Sequence, residues 1–182
     1  MSIAFAANLA IAVSIHSVPR RRAPVIAGRR SAMLRAASGA ARWQAKQTGG
    51  TGMTADEAER MLAAAKTHAR TMGKAVSIIV VDAGGASMAF ARLDGAAPST
   101  AVMADGKASS AAYMGRDSAL IATAAQTNPM MVAVHSSKMA KFTPVQGAVV
   151  VRRGTEIVGA VGVSGATSEE DEQIARAGGA AL

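Results

Sequence analysis

Val76-Ser77-Ile78-Ile79-Val80-Val81-Asp82-Ala83-Gly84-Gly85-Ala86-Ser87-Met88-Ala89-Phe90-Ala91-Arg92-Leu93-Asp94-Gly95 is the stretch that decides the fold class. Its first six residues are mostly β-branched, and such side chains fit a pleated surface better than a helix. Asp82-Ala83-Gly84-Gly85 turns the chain, residues 86–93 run back as a second strand, and Asp94-Gly95-Ala96-Ala97-Pro98 breaks it again. The same pattern returns further on. Residues 147–152 and 155–163 are apolar runs joined by Arg153-Gly154, which signals a second hairpin, and Ser164-Gly165-Ala166 leads out of it.

Helices flank the hairpins. Thr54-Ala55-Asp56-Glu57 is a capping box, in which hydroxyl and carboxylate each accept an amide of the other residue. Behind it Ala58, Met61, Leu62, Ala65, Ala69 and Met72 recur at helical spacing, and Gly73 supplies a left-handed stop. Residues 99–113 also read as a helix, with Val102, Met103 and Ala112 apolar, although Gly106 weakens it by up to about 1 kcal/mol. A further helix is expected over 117–126. Between Pro129 and Pro144 the periodicity fades, and the segment reads as short helix plus loop. Thr167-Ser168-Glu169-Glu170 is a second capping box, opening a helix that ends around Gly178-Gly179. The order α-β-β-α-(α)-β-β-α predicts an α+β fold, an antiparallel sheet with helices packed on it, and not the alternating order of a doubly wound sheet.

The charge divides unevenly. Of 182 residues, 20 are Lys or Arg and 12 Asp or Glu, a formal +8. Residues 1–52 hold Arg20, Arg21, Arg22, Arg29, Arg30, Arg35, Arg42 and Lys46 and no acid, so the whole excess sits there and 53–182 is neutral. Without a basic stripe, the neutral part gives no footing for nucleic-acid binding. The leader has an apolar run over 3–15 with no basic residue before it, the wrong order for export, and too short for the roughly 20 residues that span a bilayer. Stable membrane insertion is not expected. The leader reads as an upstream start codon with the native product beginning near Met53, as a targeting segment, or as a disordered basic tail. The product is then cytoplasmic, or organelle-targeted or exported if the leader is genuine. Gln47-Thr48-Gly49-Gly50-Thr51-Gly52 marks the boundary.

Half the residues are hydrophobic, which excludes a charge-dominated disordered chain, and the lack of Cys excludes disulfides, thiolate metal sites and a Cys nucleophile. One Trp, one Tyr and three Phe stand against 11 Met and 18 Gly. A core of Ala, Val and Met is thin when a buried Leu- or Phe-sized group contributes about 1.5–3 kcal/mol. Burial against copies of the same chain is therefore expected.

Gly159, Gly162 and Gly165 lie between a strand and a helix, but their spacing is not that of a dinucleotide loop, and the acids opening the next helix would repel a phosphate. Small residues here serve close packing. Ser164 lacks a nucleophile-elbow setting and reads as a turn residue or a hydrogen-bonding partner of a ligand. His16, His68 and His135 show no metal-site spacing, so no metal is expected. His68 reads as solvated helix surface. His135, with Lys138 and Lys141 downstream, is compatible with an axial haem ligand beside propionate partners, or with plain surface. Asp94 beside Gly95 suits an Asx-type turn. Arg92, Asp94 and Lys107 converge on one polar pocket if the 99–113 helix points its first half at the Asp94 turn; otherwise they are separate surface charges.

The series Val80-Val81-Asp82-Ala83-Gly84-Gly85, Phe90-Ala91-Arg92-Leu93-Asp94-Gly95-Ala96, Lys107-Ala108 and Ile157-Val158-Gly159-Ala160-Val161-Gly162-Val163-Ser164-Gly165-Ala166-Thr167, with Glu170-Asp171 and Ile174-Ala175 behind, resembles the GlcG/HbpS-like family. That family is also called the haem-degrading-domain or PduO C-terminal-like family, and the resemblance covers 53–182. It implies a compact, profilin-like α+β sandwich assembled into homo-oligomers, including octamers. It implies a haem- or tetrapyrrole-binding protein with haem as cofactor, for which the cationic stretch from His135, as axial ligand, through Lys138 to Lys141 is the expected contact, while the Ser164-Gly165 turn is expected to line the site in the enzyme alternative. The alternative it implies is an accessory catabolic enzyme for a small carboxylated metabolite of glycolate, diol or aromatic ring-cleavage pathways. Arg92 would then hold the carboxylate and Asp94 or Lys107 would move a proton. A third implied role is a stabilising subunit for an operon partner. The sequence departs from the family pattern at Phe142-Thr143-Pro144-Val145-Gln146-Gly147, in place of a Gly-Gly-x-Pro approach, in a loop expected to shape a pocket.

Overall fold

Both capping boxes form. Thr54 Oγ1 accepts the Glu57 amide at 3.2 Å while the Thr54 amide donates to the Glu57 carboxylate at 2.8 Å. The box opens α1, Ala55–Thr71, whose Ala58, Met61, Ala65 and Ala69 are buried at the spacing read from sequence. Thr167 and Glu170 repeat the arrangement at 3.3 and 3.1 Å and open α5, Ser168–Gly179. The computed structural model describes residues 52–182, so the expectations for the basic leader lie outside the described residues.

The two hairpins are β1, Ser77–Asp82, with β2, Ser87–Arg92, and β3, Ala148–Arg153, with β4, Glu156–Ser164. They join through β1 and β4 into one antiparallel sheet of order β2-β1-β4-β3. Asp82 shapes the first turn, its carboxylate accepting the amides of Gly84 and Ala86, both at 2.9 Å. The edge strand β3 is shielded: its Ala148 and Val150 amides donate to Ser118 Oγ at 2.8 Å and Asp117 Oδ1 at 2.9 Å.

Alternation along the strands divides two cores. Ile78, Val80, Val161 and Val163 face α1 and α5, whereas Ile79, Val81 and Ala160 face α2, Pro98–Met114. The fold is thus α+β, with the antiparallel sheet sandwiched between helices, as the element order predicts. From Gly106 to Ala112, α2 lacks a solvent face because the segment around Thr143 lies over its other side. The Thr143 amide donates to Ser110 Oγ at 2.8 Å, and a Cβ on Gly106 would collide with Thr143 Oγ1. Gly106 thus admits the segment at that cost in helix propensity. Beyond α3, Ser118–Thr127, the stretch expected to be short helix plus loop contains a second helix, α4, Pro129–Lys138. Asn128 starts it by accepting the Met131 amide at 2.9 Å, and none of its residues is buried.

Candidate functional site

The antiparallel register brings the end of β2, the start of β1 and the end of β4 to one edge of the sheet, pairing Ser77 with Arg92 on one side and with Ser164 on the other. A cleft of about 490 Å³ opens there, lined by Lys66, Arg70, Gly73, Lys74, Ala75 and residues 91–94. Arg92 and Asp94 therefore border one cavity. Neither makes an ion pair or side-chain hydrogen bond among the described residues. The Asx-type bond expected of Asp94 is not formed. Its turn is held by the Ala96 amide on the Leu93 carbonyl at 3.0 Å, with Gly95 at φ 85°.

Lys107 does not line this cleft. Its side chain is 3% exposed, and Nζ donates to Asp171 Oδ2 at 2.8 Å and to the Val163 carbonyl at 3.1 Å. Asp171, 2% exposed, accepts the Ala166 amide on its other oxygen at 3.0 Å. The pair thus straddles the Ser164-Gly165 turn and braces it through the backbone on both sides. The convergence of Arg92, Asp94 and Lys107 in one pocket is corrected accordingly: Lys107 reaches toward the start of α5, where a carboxylate takes its ammonium. Gly147 closes the space beside them, since a Cβ there would lie 2.7 Å from Lys107 Nζ. Ser164 is 8% exposed, and Gly165 adopts φ 136° against the Ala75 carbonyl, so the turn abuts a segment that lines the cleft.

His135 and Lys138 stand apart on α4. His135 Nδ1 lies 2.8 Å from the Met131 carbonyl, which only accepts, so Nδ1 is the donor there, and in the neutral ring Nε2 is the nitrogen that carries the lone pair. The ring stacks on Phe142 with centroids 5.3 Å apart. Met130, Val134 and Lys138 recur every fourth residue beside Met131 and His135, so all five occupy one arc of the helix. Met130 is 71% exposed and Val134 49%. Lys141, further on, pairs with Asp105 at 2.8 Å. His135 lines neither the cleft described above nor a second one of about 400 Å³. That second cleft lies between α3, Pro144, Val145 and Gln146 of the departing loop, and the start of α5.

Several residues gain importance only in three dimensions. Asp171 read as one of the acids opening the last helix, and nothing in sequence spacing linked it to Lys107. Lys66, Arg70 and Lys74 carried a signal in their four-residue repeat at the end of α1.

A family model described as haem-degrading protein HbpS-like matches residues 53–180. The solved structure of a Streptomyces reticuli HbpS double mutant is 31% identical, covers 72% of this chain and 88% of its own, and has a TM-score of 0.66. Klebsiella pneumoniae ORFY is 29% identical over 71% of this chain and 89% of its own, again with a TM-score of 0.66. A PduOC–haem complex is 23% identical over 72% of this chain and 95% of its own at the same TM-score, a likeness that bears on the fold alone. Comparison with curated proteins gives no match. With the family model spanning nearly all of the described residues, and the antiparallel sandwich shared with these structures, the chain belongs to the HbpS-like family.

Proposed function

We propose that the protein binds haem or a related tetrapyrrole through the exposed face of α4 and works as a homo-oligomer. One observation carries the reading: His135 has its Nδ1 proton committed to the Met131 carbonyl, leaving Nε2 free, on a helix arc that also presents Met130, Val134 and Lys138. An axial imidazole needs this state, because the hydrogen bond at one nitrogen fixes the tautomer and orients the other toward a metal. The residues present therefore fit the group. His135 would supply the axial nitrogen, Met130 and Val134 apolar contact, and Lys138 a cation for a propionate. A bound haem would supply the iron and its redox or oxygen chemistry. The matching family model, described as haem-degrading, supports the ligand class. The arc is open rather than a closed pocket, so a second copy covering it would complete the site, which ties ligand binding to self-association.

Haemin titrated into the full chain is expected to give a saturable Soret shift at micromolar protein, and His135→Ala to weaken it. No Soret shift would defeat the proposal, and an unchanged titration of His135→Ala would move the ligand away from α4.

A further inference from the structure

We infer that the cleft at the C-terminal end of α1 is a second, separate binding site, for a small dianion such as a dicarboxylate or a phosphate monoester. Residues 53–182 are electrically balanced, and elsewhere in them Lys107 pairs with Asp171, Lys141 with Asp105, Arg153 with Glu57, and Arg176 with Asp117 and Glu172, whereas Arg60, Arg116, Lys138 and Arg152, each on a separate segment, make no ion pair among the described residues. What sets this cleft apart is that such cations gather in one cavity. Lys66 and Arg70 lie one turn apart on α1, line the same cavity, and have no ion pair or side-chain hydrogen bond among the described residues. Like charges at that spacing repel, so an isolated domain gains nothing by placing them together. Complementing the helix dipole accounts for Arg70 in the last turn but not for Lys66 a turn earlier.

Lys74 adds a third cation from the turn beyond the helix, its ammonium 2.8 Å from Glu170. Arg92 meets the cavity from its rim, because strand alternation points Ala91 toward α1 and Arg92 to the opposite face. Asp94 is the one carboxylate among the lining residues and makes no ion pair among the described residues, so it is available to accept a hydrogen bond from the ligand. The cavity of about 490 Å³ has metabolite dimensions. Cations arriving from a helix, a turn and a strand end suit a ligand with two negative groups better than a lone carboxylate, since each charge-assisted bond adds both strength and direction.

The test is isothermal titration of the full chain at low salt with succinate, inorganic phosphate and, as monoanion control, propionate. Succinate or phosphate is expected to bind saturably, at least about tenfold tighter than propionate, with affinity falling as salt rises. The two arms distinguish carboxylate from phosphate. Lys66→Gln/Arg70→Gln should lose about tenfold or more in that affinity, while Arg116→Gln, an exposed cation outside the cleft, should lose none. Leader cations are common to all three proteins and cancel in the comparison. Absence of saturable binding, or equal loss in both variants, would overturn the inference. Haemin titration of Lys66→Gln/Arg70→Gln should match wild type; a parallel loss would overturn the claim that the two sites are separate.

Discussion

Replacing Lys107 with Met separates a structural ammonium from a reactive one. Met keeps most of the stem's apolar volume, so little cavity arises and the cost is mainly electrostatic. What remains is the Asp171 carboxylate, 2% exposed, with the Ala166 amide as its hydrogen-bond donor and no cation at 2.8 Å. Removing one partner of a buried pair costs about 3–5 kcal/mol, a large share of the roughly 5–15 kcal/mol that holds a domain together. Asp171→Asn strands the cation instead and belongs in the same range. In Lys107→Met/Asp171→Asn no charge is buried, and the carboxamide oxygen that replaces the carboxylate can still accept from the Ala166 amide. The double variant should therefore lose less than the sum of the singles, with a coupling toward the upper end of the roughly 0.5–3 kcal/mol seen for residues in contact. Urea unfolding followed by far-UV circular dichroism, at one protein concentration so that the proposed association weighs equally on each, measures all four species. Additive singles, or a Lys107→Met cost below about 1 kcal/mol, would refute the buried-pair reading and return Lys107 to the candidates for chemistry.

Other consequences follow from the same coordinates. A Cβ on Gly162 would collide with the Ala104 carbonyl and lie 2.7 Å from Ala108 Cβ, so Gly162→Ala should cost about 1–3 kcal/mol by forcing α2 off the sheet. Gly154→Ala, at φ 64° in open space, meets only left-handed strain of about 1–2 kcal/mol; a lower melting temperature for Gly154→Ala than for Gly162→Ala would contradict this packing. The Glu57 carboxyl is held below its ordinary value of 4.5 by the Thr54 amide and then by Arg153, and the Glu170 carboxyl by Lys74 and then the Thr167 amide. Depressed acids stabilise above their unfolded pKa and lose that contribution as pH falls through the folded one. Stability should thus decline from near pH 4.5 downward, and Glu57→Gln/Glu170→Gln should flatten that limb in urea titrations at stepped pH; an identical slope would remove the caps as its cause. Met130→Glu/Val134→Glu should lower the mass in sedimentation if α4 is a contact between copies, and an unchanged mass would place the interface elsewhere.

The strands and caps were legible because their determinants are local. Runs of Val and Ile set β1 and β4, and both capping boxes close within three residues. The stretch of α4 was legible only as short helix plus loop, because α4 buries no residue and no alternation of core and solvent positions marks its bounds. α2 carried little amphipathic signal for the opposite reason: it is buried continuously from Gly106 to Ala112 between sheet and loop. The candidate site suffered most where long-range pairing decides. Lys107 finds its carboxylate 64 positions away, whereas Arg92 and Asp94 lie within one strand end and stayed neighbours.

The glycine triplet of β4 explains how a neutral domain with a thin core comes to present apolar faces outward. Substituents at Gly159, Gly162 and Gly165 would run into the Val81 carbonyl, α2 and the Ala75 carbonyl respectively, so the strand is hemmed in along its length. On the α2 side, layers this close are filled by Ala and Val, with Ile79 the one larger side chain of the buried cluster. Other large apolar residues lie outside the cores: Phe90 on the edge strand, Tyr113 at the end of α2, Leu120 on α3, and Met130 and Val134 on α4, all substantially exposed. Scattered exposed side chains need no explanation, but α4 gathers Met130, Met131 and Val134 on one arc beside a histidine with an uncommitted nitrogen. Tight packing inside and apolar surface outside are then two aspects of one design. The proposed reading assigns that arc to a flat apolar ligand and a second copy of the chain.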